Sequence, residues 1–193
     1  MNDIIIKDLC KSFGEKKVLD NFSVMFPAGS VSCIMAPSGA GKTTLLSIMQ
    51  GFINPDSGII EGIPEKMSAV FQEDRLCEDF CAVSNVRFSC GAGKGKKSKE
   101  EIVACLSALG LGDSLDKPVR SFSGGMKRRV AIARALMADY ELLFLDEPFK
   151  GLDEELKLSV AKYIKSSAAG KTVIAVSHDE AEAALLGATV IKM

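Results

Sequence analysis

No stretch of these 193 residues is apolar for long enough to cross a bilayer as a helix. The opening, Met1 to Asp8, has neither the basic start nor the extended apolar run of a secretory leader. An excess of charge is also missing. Lys and Arg number 24 against 25 Asp and Glu, a net charge of −1, which argues against a nucleic-acid footprint over the surface. The six cysteines (Cys10, Cys33, Cys77, Cys81, Cys90 and Cys105) include no C-x-x-C pair and read as free thiols of a cytosolic protein. A zinc site on Cys77, Cys81 and Cys90 needs a fourth ligand, and the single histidine lies far along the chain. What is present, 47% hydrophobic and 25% charged residues, suits one large domain or a domain with a small subdomain.

Two kinds of strand are predicted. Asp3 to Phe13 and Val18 to Phe26 cluster apolar residues around a turn at Gly14-Glu15-Lys16-Lys17, and read as an antiparallel pair that Ile59-Ile60-Glu61-Gly62-Ile63 extends. Val31 to Met35, Leu142 to Leu145 and Thr172 to Val176 are short and almost wholly apolar. That is how parallel strands covered on both faces read. From Glu73 to Arg120 the pattern turns helical, as in Lys99 to Leu109, interrupted by Gly91-Ala92-Gly93-Lys94-Gly95-Lys96-Lys97. This basic tract lacks the spacing of a phosphate loop and reads as a solvated loop. The expectation is one α/β domain, with residues 1–72 and 121–193 forming the sheet core and about 73–120 an inserted helical subdomain.

The run Ala36-Pro37-Ser38-Gly39-Ala40-Gly41-Lys42-Thr43-Thr44 sits between a predicted strand and a predicted helix, the context of a phosphate-binding loop. Gly39 and Gly41 let the backbone curl with its N–H groups inward, and the helix N-terminus adds partial positive charge. Lys42 is then placed for the β- and γ-phosphates of a nucleoside triphosphate, and the Thr43 hydroxyl for Mg²⁺. Ala36 stands where a first glycine is usual, which is tolerated if its φ is negative. Downstream, Glu141-Leu142-Leu143-Phe144-Leu145-Asp146-Glu147-Pro148 is an apolar strand ending in two carboxylates, at the sheet edge where α/β folds bind ligands. Asp146 is expected to hold Mg²⁺. Glu147, on the other side of the pleat, is expected to act as general base toward water.

Ser121-Phe122-Ser123-Gly124-Gly125-Met126-Lys127-Arg128-Arg129-Val130-Ala131-Ile132-Ala133-Arg134-Ala135-Leu136 resembles the signature motif and following helix of ABC ATPases, a P-loop NTPase family. Its triplet Lys127-Arg128-Arg129 reads as a solvated or phosphate-facing helix side. The resemblance runs from Asp3 to Lys192 and implies further roles. Gln72 looks like the glutamine-loop residue that contacts Mg²⁺ and the lytic water. Gly151-Leu152-Asp153 resembles the loop crossing the dimer interface, and His178 the switch histidine. Phe13 occupies the place where an aromatic stacks on adenine, with core packing as the alternative. Catalytic roles thus fall to Glu147, His178, Gln72 and Lys42, and metal contacts to Thr43, Gln72 and Asp146. Nucleotide contacts fall to Phe13, Ser38, Gly39, Ala40, Gly41, Lys42, Thr43, Thr44, Ser123, Gly124 and Gly125.

Phe71-Gln72-Glu73-Asp74-Arg75-Leu76, Met126 and Asp146-Glu147-Pro148-Phe149 are similar to the nitrate/sulfonate/taurine importer type. This resemblance implies an ATP- and Mg²⁺-dependent ATPase subunit, cytoplasmic and peripheral on the inner membrane face. Two copies would sandwich two ATP molecules and drive a transmembrane permease. The region after Gln72 would receive that permease, an extracytoplasmic solute-binding protein would act indirectly, and no nucleic acid is expected. Lys150-Gly151 departs from the small residues usual there and puts a charge near the presumed interface. A stop soon after the last strand leaves no C-terminal regulatory domain expected. Two alternatives stay open: a non-transport or export-type ABC ATPase, such as one serving cluster assembly with a soluble scaffold, and an ATP-binding module with weak hydrolysis.

Overall fold

The computed structural model describes residues 2–37, 39–91 and 97–193; Ser38 and residues 92–96, the middle of the Gly91–Lys97 tract, lie outside the described residues. Strands β1 (Ile4–Phe13), β2 (Lys16–Phe26) and β4 (Ser57–Glu61) form an antiparallel sheet in the order β2-β1-β4. The predicted third member therefore pairs where expected, Ile6 opposite Ile60 and Ile5 opposite Glu61. The turn is tighter than the sequence suggested. Gly14 alone carries the positive φ, +59°, so Lys16 and Lys17 are already strand.

The second sheet is parallel throughout. β5 (Met67–Val70), β6 (Leu142–Asp146), β7 (Thr172–Val176), β3 (Val31–Met35) and β8 (Thr189–Lys192) pair in that order. Alternate residues of its central strands go to opposite faces, and both faces are covered. Leu143, Leu145, Val173 and Ala175 join a cluster with Val130, Ala133, Val160 and Ile164. Leu142, Phe144, Ile174 and Val176 join Leu45, Ile48 and the inner side of the antiparallel sheet, Ile4, Ile6 and Phe26. Burying one such side chain contributes about 1.5–3 kcal/mol. Double coverage is why these strands read as unbroken apolar runs.

The helices are α1 (Lys42–Met49), α2 (Ala82–Arg87), α3 (Lys99–Ala108), α4 (Gly124–Leu136), α5 (Glu154–Ser167) and α6 (Glu180–Leu186). α2 and α3 occupy the segment expected to be helical. α3 begins in a capping box: Ser98 accepts from the Glu101 N–H and Glu101 accepts from the Ser98 N–H. α4 corrects the sequence reading of its basic triplet. Arg128 and Arg129 are buried, not solvated. Arg129 Nη1 donates to the carbonyls of Leu109 and Gly110 at 2.9 and 3.0 Å. Only Lys127 reaches outward, to Glu78 at 2.6 Å.

Candidate functional site

In a parallel sheet every strand ends on the same edge, so whatever follows β3, β5, β6 and β7 is gathered there. The register keeps those ends level: Ile34 lies opposite Val176, Asp146 opposite Val176, and Val70 opposite Leu145. The loop before Lys42 follows β3, Gln72 follows β5, Asp146 and Glu147 close β6, and His178 follows β7. A cleft of about 640 Å³ opens over this edge. Phe13, Gly39, Gly41, Lys42, Thr43, Thr44, Gln72, Asp146, Glu147 and His178 all line it.

The glycine loop has the geometry its residues require. Gly39 has φ +80° and Gly41 φ +96°. A Cβ on Gly41 would stand 2.8 Å from Val18 Cγ1 and 2.9 Å from the Val18 carbonyl oxygen, so only glycine fits against β2. Ala36 is absent from the described residues with positive φ, so alanine fits its backbone there. Ala40 donates its N–H to the Pro37 carbonyl and lies beside the cleft lining. Lys42 folds over its own loop, donating to the carbonyls of Ala36 at 2.6 Å and Pro37 at 3.0 Å. These weak partners hold the ammonium where an anion of higher charge is able to draw it off.

The loop and the acidic strand meet directly. Thr43 Oγ1 donates to Asp146 Oδ2 at 3.3 Å. The pleat explains this, since Leu142, Phe144 and Asp146 share the face that packs on α1. Burial pushes the Asp146 carboxyl above the usual carboxylate range and neighbouring Glu147 adds to that, while Thr43, Arg128 and Lys42 pull it back. Among side chains, a hydroxyl and a buried carboxylate on neighbouring elements are the donor set that suits Mg²⁺.

Glu147 owes its direction to something the pleat argument missed. It lies past the end of β6 in left-handed backbone, φ +48°, with its N–H donating to the Val176 carbonyl at 3.0 Å. Non-glycine residues hold such backbone only where their surroundings enforce it, commonly at functional sites. The turn aims the carboxylate between an imidazole and an ammonium: Oε1 is 3.7 Å from His178 Nδ1 and Oε2 is 4.0 Å from Lys150 Nζ. Lys150 thus faces a carboxylate of its own chain. His178 is 74% exposed, and the residue before it is anchored. Ser177 donates to buried Glu182 at 2.6 Å and accepts from the Asp179 N–H.

Phe13 is 50% exposed at the cleft mouth, so core packing is not its role, and Lys11 Nζ lies 5.5 Å from its ring centroid. Ser123, Gly124 and Gly125 are not brought into this cleft. They begin α4 elsewhere, with Ser123 and Gly124 exposed. A Cβ on Gly125 would come within 2.8 Å of the Gly151 carbonyl oxygen, so this turn rests on the loop that follows Lys150. The sequence reading missed Lys16, Val18 and Val176, which also line the cleft. The brevity of the first hairpin turn, which carries β2 across the glycine loop, is the signal that finds the first two.

A family model described as ABC transporter matches residues 19–150. The taurine import ATP-binding protein of Jannaschia sp. (strain CCS1) is 34% identical over 212 residues, spanning 100% of this chain and 78% of that relative. The aliphatic sulfonates import ATP-binding protein of Nocardia farcinica (strain IFM 10152) is 35% identical, covering 97% of this chain and 76% of its own. Among solved structures, the dimeric structure of a bacterial ABC transporter cassette superposes with a TM-score of 0.87 at 27% identity, over 98% of this chain and 94% of that one. A post-hydrolysis cassette bound to ADP and Pi superposes with a TM-score of 0.85 at 26% identity.

Proposed function

The chain belongs to the ABC transporter family, and from that premise we propose that it is the ATP-hydrolysing subunit of a solute importer acting on a separate membrane permease. The observation that carries this is the convergence of Lys42, Thr43, Gln72, Asp146, Glu147 and His178 on one cleft. In the mechanism, Lys42 leaves the loop carbonyls for the β- and γ-phosphates, and the loop N–H groups take the rest of the charge. Thr43, Asp146 and Gln72 would hold Mg²⁺, which when bound would neutralise developing phosphate charge. Glu147 accepts the proton of the attacking water, and His178, 3.7 Å from the Glu147 carboxylate, contacts the γ-phosphate. Phe13 stacks on the base.

The exposed Ser123-Gly124-Gly125 turn has no role in its own cleft. Its partner in this reading is the ATP of a second copy, so two chains close around two nucleotides and reopen after hydrolysis. Phe52, Phe80 and Phe88 are large, apolar and exposed; Phe52 lies against Phe71, next to Gln72, and Phe80 and Phe88 meet edge to face in the segment that follows. They support a permease docking against this side, and with it a location on the inner face of the membrane. A solute-binding protein outside the membrane acts only through the permease. The taurine and aliphatic sulfonate relatives support a small organic anion as cargo.

Replacing Lys42 tests the assignment. Lys42→Ala is expected to lose Mg²⁺-ATP affinity by at least about tenfold in calorimetry, the scale of one charge-assisted contact. Unchanged affinity overturns the phosphate-loop reading. Copurification from membranes tests the partner: a permease is expected, and a soluble scaffold in its place overturns the importer reading.

A further inference from the structure

Arg128 is 3% exposed in α4, yet it makes no contact in the cleft. Its guanidinium reaches back to the segment after β5, donating from Nη1 to the Phe71 carbonyl at 2.6 Å and from Nη2 to the Gln72 carbonyl at 2.7 Å. Asp74 Oδ1 lies 3.3 Å from Nη1, an ion-pair distance without hydrogen-bond geometry. Six residues further along the same helix, Arg134 donates to the carbonyls of Asp74 at 2.8 Å and Arg75 at 2.6 Å. Four backbone carbonyls of one short segment are therefore held by two arginines of one helix.

Stability alone is a poor reason for this arrangement. Burying a cation carries a desolvation cost that an apolar side chain of similar volume avoids, so buried charges serve geometry better than stability. The segment also stores strain. Arg75 has φ +47°, a left-handed backbone that persists only where neighbours enforce it. Successive carbonyls suit the planar fork of arginine, which fixes them in direction as well as distance, whereas a lysine ammonium addresses them as a point charge.

We propose that Arg128 is a positioning residue for Gln72: it locks the Gln72 backbone to α4, the helix that begins at Ser123-Gly124-Gly125, so that the Gln72 side chain is delivered to the metal site only when α4 is correctly seated. The proposal rests on the reading of Gln72 as a contact to Mg²⁺ and the lytic water. It deepens that reading by tying each chain's own metal site to the helix that faces the second copy's nucleotide. Asp74, its side chain 22% exposed, adds its ion-pair contact with Arg128 to the grip.

A double-mutant cycle on the full chain separates this from a merely structural role. Arg128→Met is expected to lower kcat about tenfold, to leave ATP affinity measured without Mg²⁺ within about twofold, and to raise the Mg²⁺ concentration for half-maximal turnover. Arg128→Lys is expected to fall between the two, and it replaces the Met variant if that fails to fold. Gln72→Ala is expected to lower kcat similarly, and the double variant no further than the worse single one, because both remove the same delivered group. Independent, multiplying losses overturn the proposal while leaving the ATPase intact, as does a Gln72→Ala protein with normal turnover. A wild-type chain without Mg²⁺-dependent hydrolysis overturns the functional reading, and this inference with it.

Discussion

Asp146 shows at the residue scale how a site opposes the stability of its own fold. Its carboxyl is buried against Thr43, and burial holds its pKa above the unfolded value. As pH falls through that raised value the native chain takes up a proton that the unfolded chain takes up only lower. The group therefore adds stability as pH falls into that window and removes it near neutrality, where the buried carboxylate is charged. Asp146→Asn keeps the shape and the Thr43 contact without the charge. Calorimetry of the nucleotide-free protein at neutral pH is expected to show Tm higher by about 2–4 °C, ~1 kcal/mol for a chain of this size. The same variant is expected to lose Mg²⁺-dependent turnover. A lowered Tm would mean that the carboxylate is better satisfied than its burial indicates.

At the scale of elements, the site depends on how helices and turns begin. α1 starts at Gly41, whose left-handed backbone against Val18 admits no side chain, so the phosphate loop and the first hairpin form one unit. α4 starts at a glycine turn pressed on Gly151, and α3 at a capping box far from the cleft. These differ in what they carry. Ser98→Ala removes one arm of the box on α3, at a cost of about 1 kcal/mol and a Tm lower by ~2–4 °C, with ATP turnover unchanged. Thermal melts and a turnover assay on the same preparation check both halves. A loss of turnover at unchanged stability would show that α3 couples to the site, contrary to its position.

For the whole molecule, one chain gathers in its cleft the residues proposed to bind phosphate and metal and to act as base, but keeps Ser123-Gly124-Gly125 outside it. A two-chain sandwich accounts for both. Glu147→Gln keeps shape and hydrogen bonding but cannot accept a proton, so turnover is expected to fall by about 10²–10⁴ at near-normal ATP affinity. In the proposed sandwich closure depends on bound ATP and opening on hydrolysis, so this variant should run as a dimer with ATP and Mg²⁺ in size-exclusion chromatography over a range of protein concentrations. Lost turnover with monomer at every concentration would sink the sandwich. Near-normal turnover would move the base to another residue, with His178 the nearest, 3.7 Å away.

Much of this was legible in the chain alone, for physical reasons. Parallel strands buried on both faces must be largely apolar, so Val31 to Met35, Leu142 to Leu145 and Thr172 to Val176 announce themselves. A glycine-rich turn between strand and helix and an apolar strand ending in carboxylates both stand out in sequence, and the structure brings Lys42, Thr43 and Asp146 into one cleft. Met67–Val70, the edge strand that carries Gln72 to the cleft, is too short and too mixed to stand out. Only the tertiary structure decided that Glu147 is aimed by a left-handed turn, and that Lys150 faces it. Only the tertiary structure turned Arg128 and Arg129 inward, because a basic triplet reads as solvated until the carbonyls that take its donors, at Phe71, Gln72, Leu109 and Gly110, are brought from distant parts of the chain. Local pattern reports what an element buries. Which distant backbone group meets a side chain is set when the elements pack.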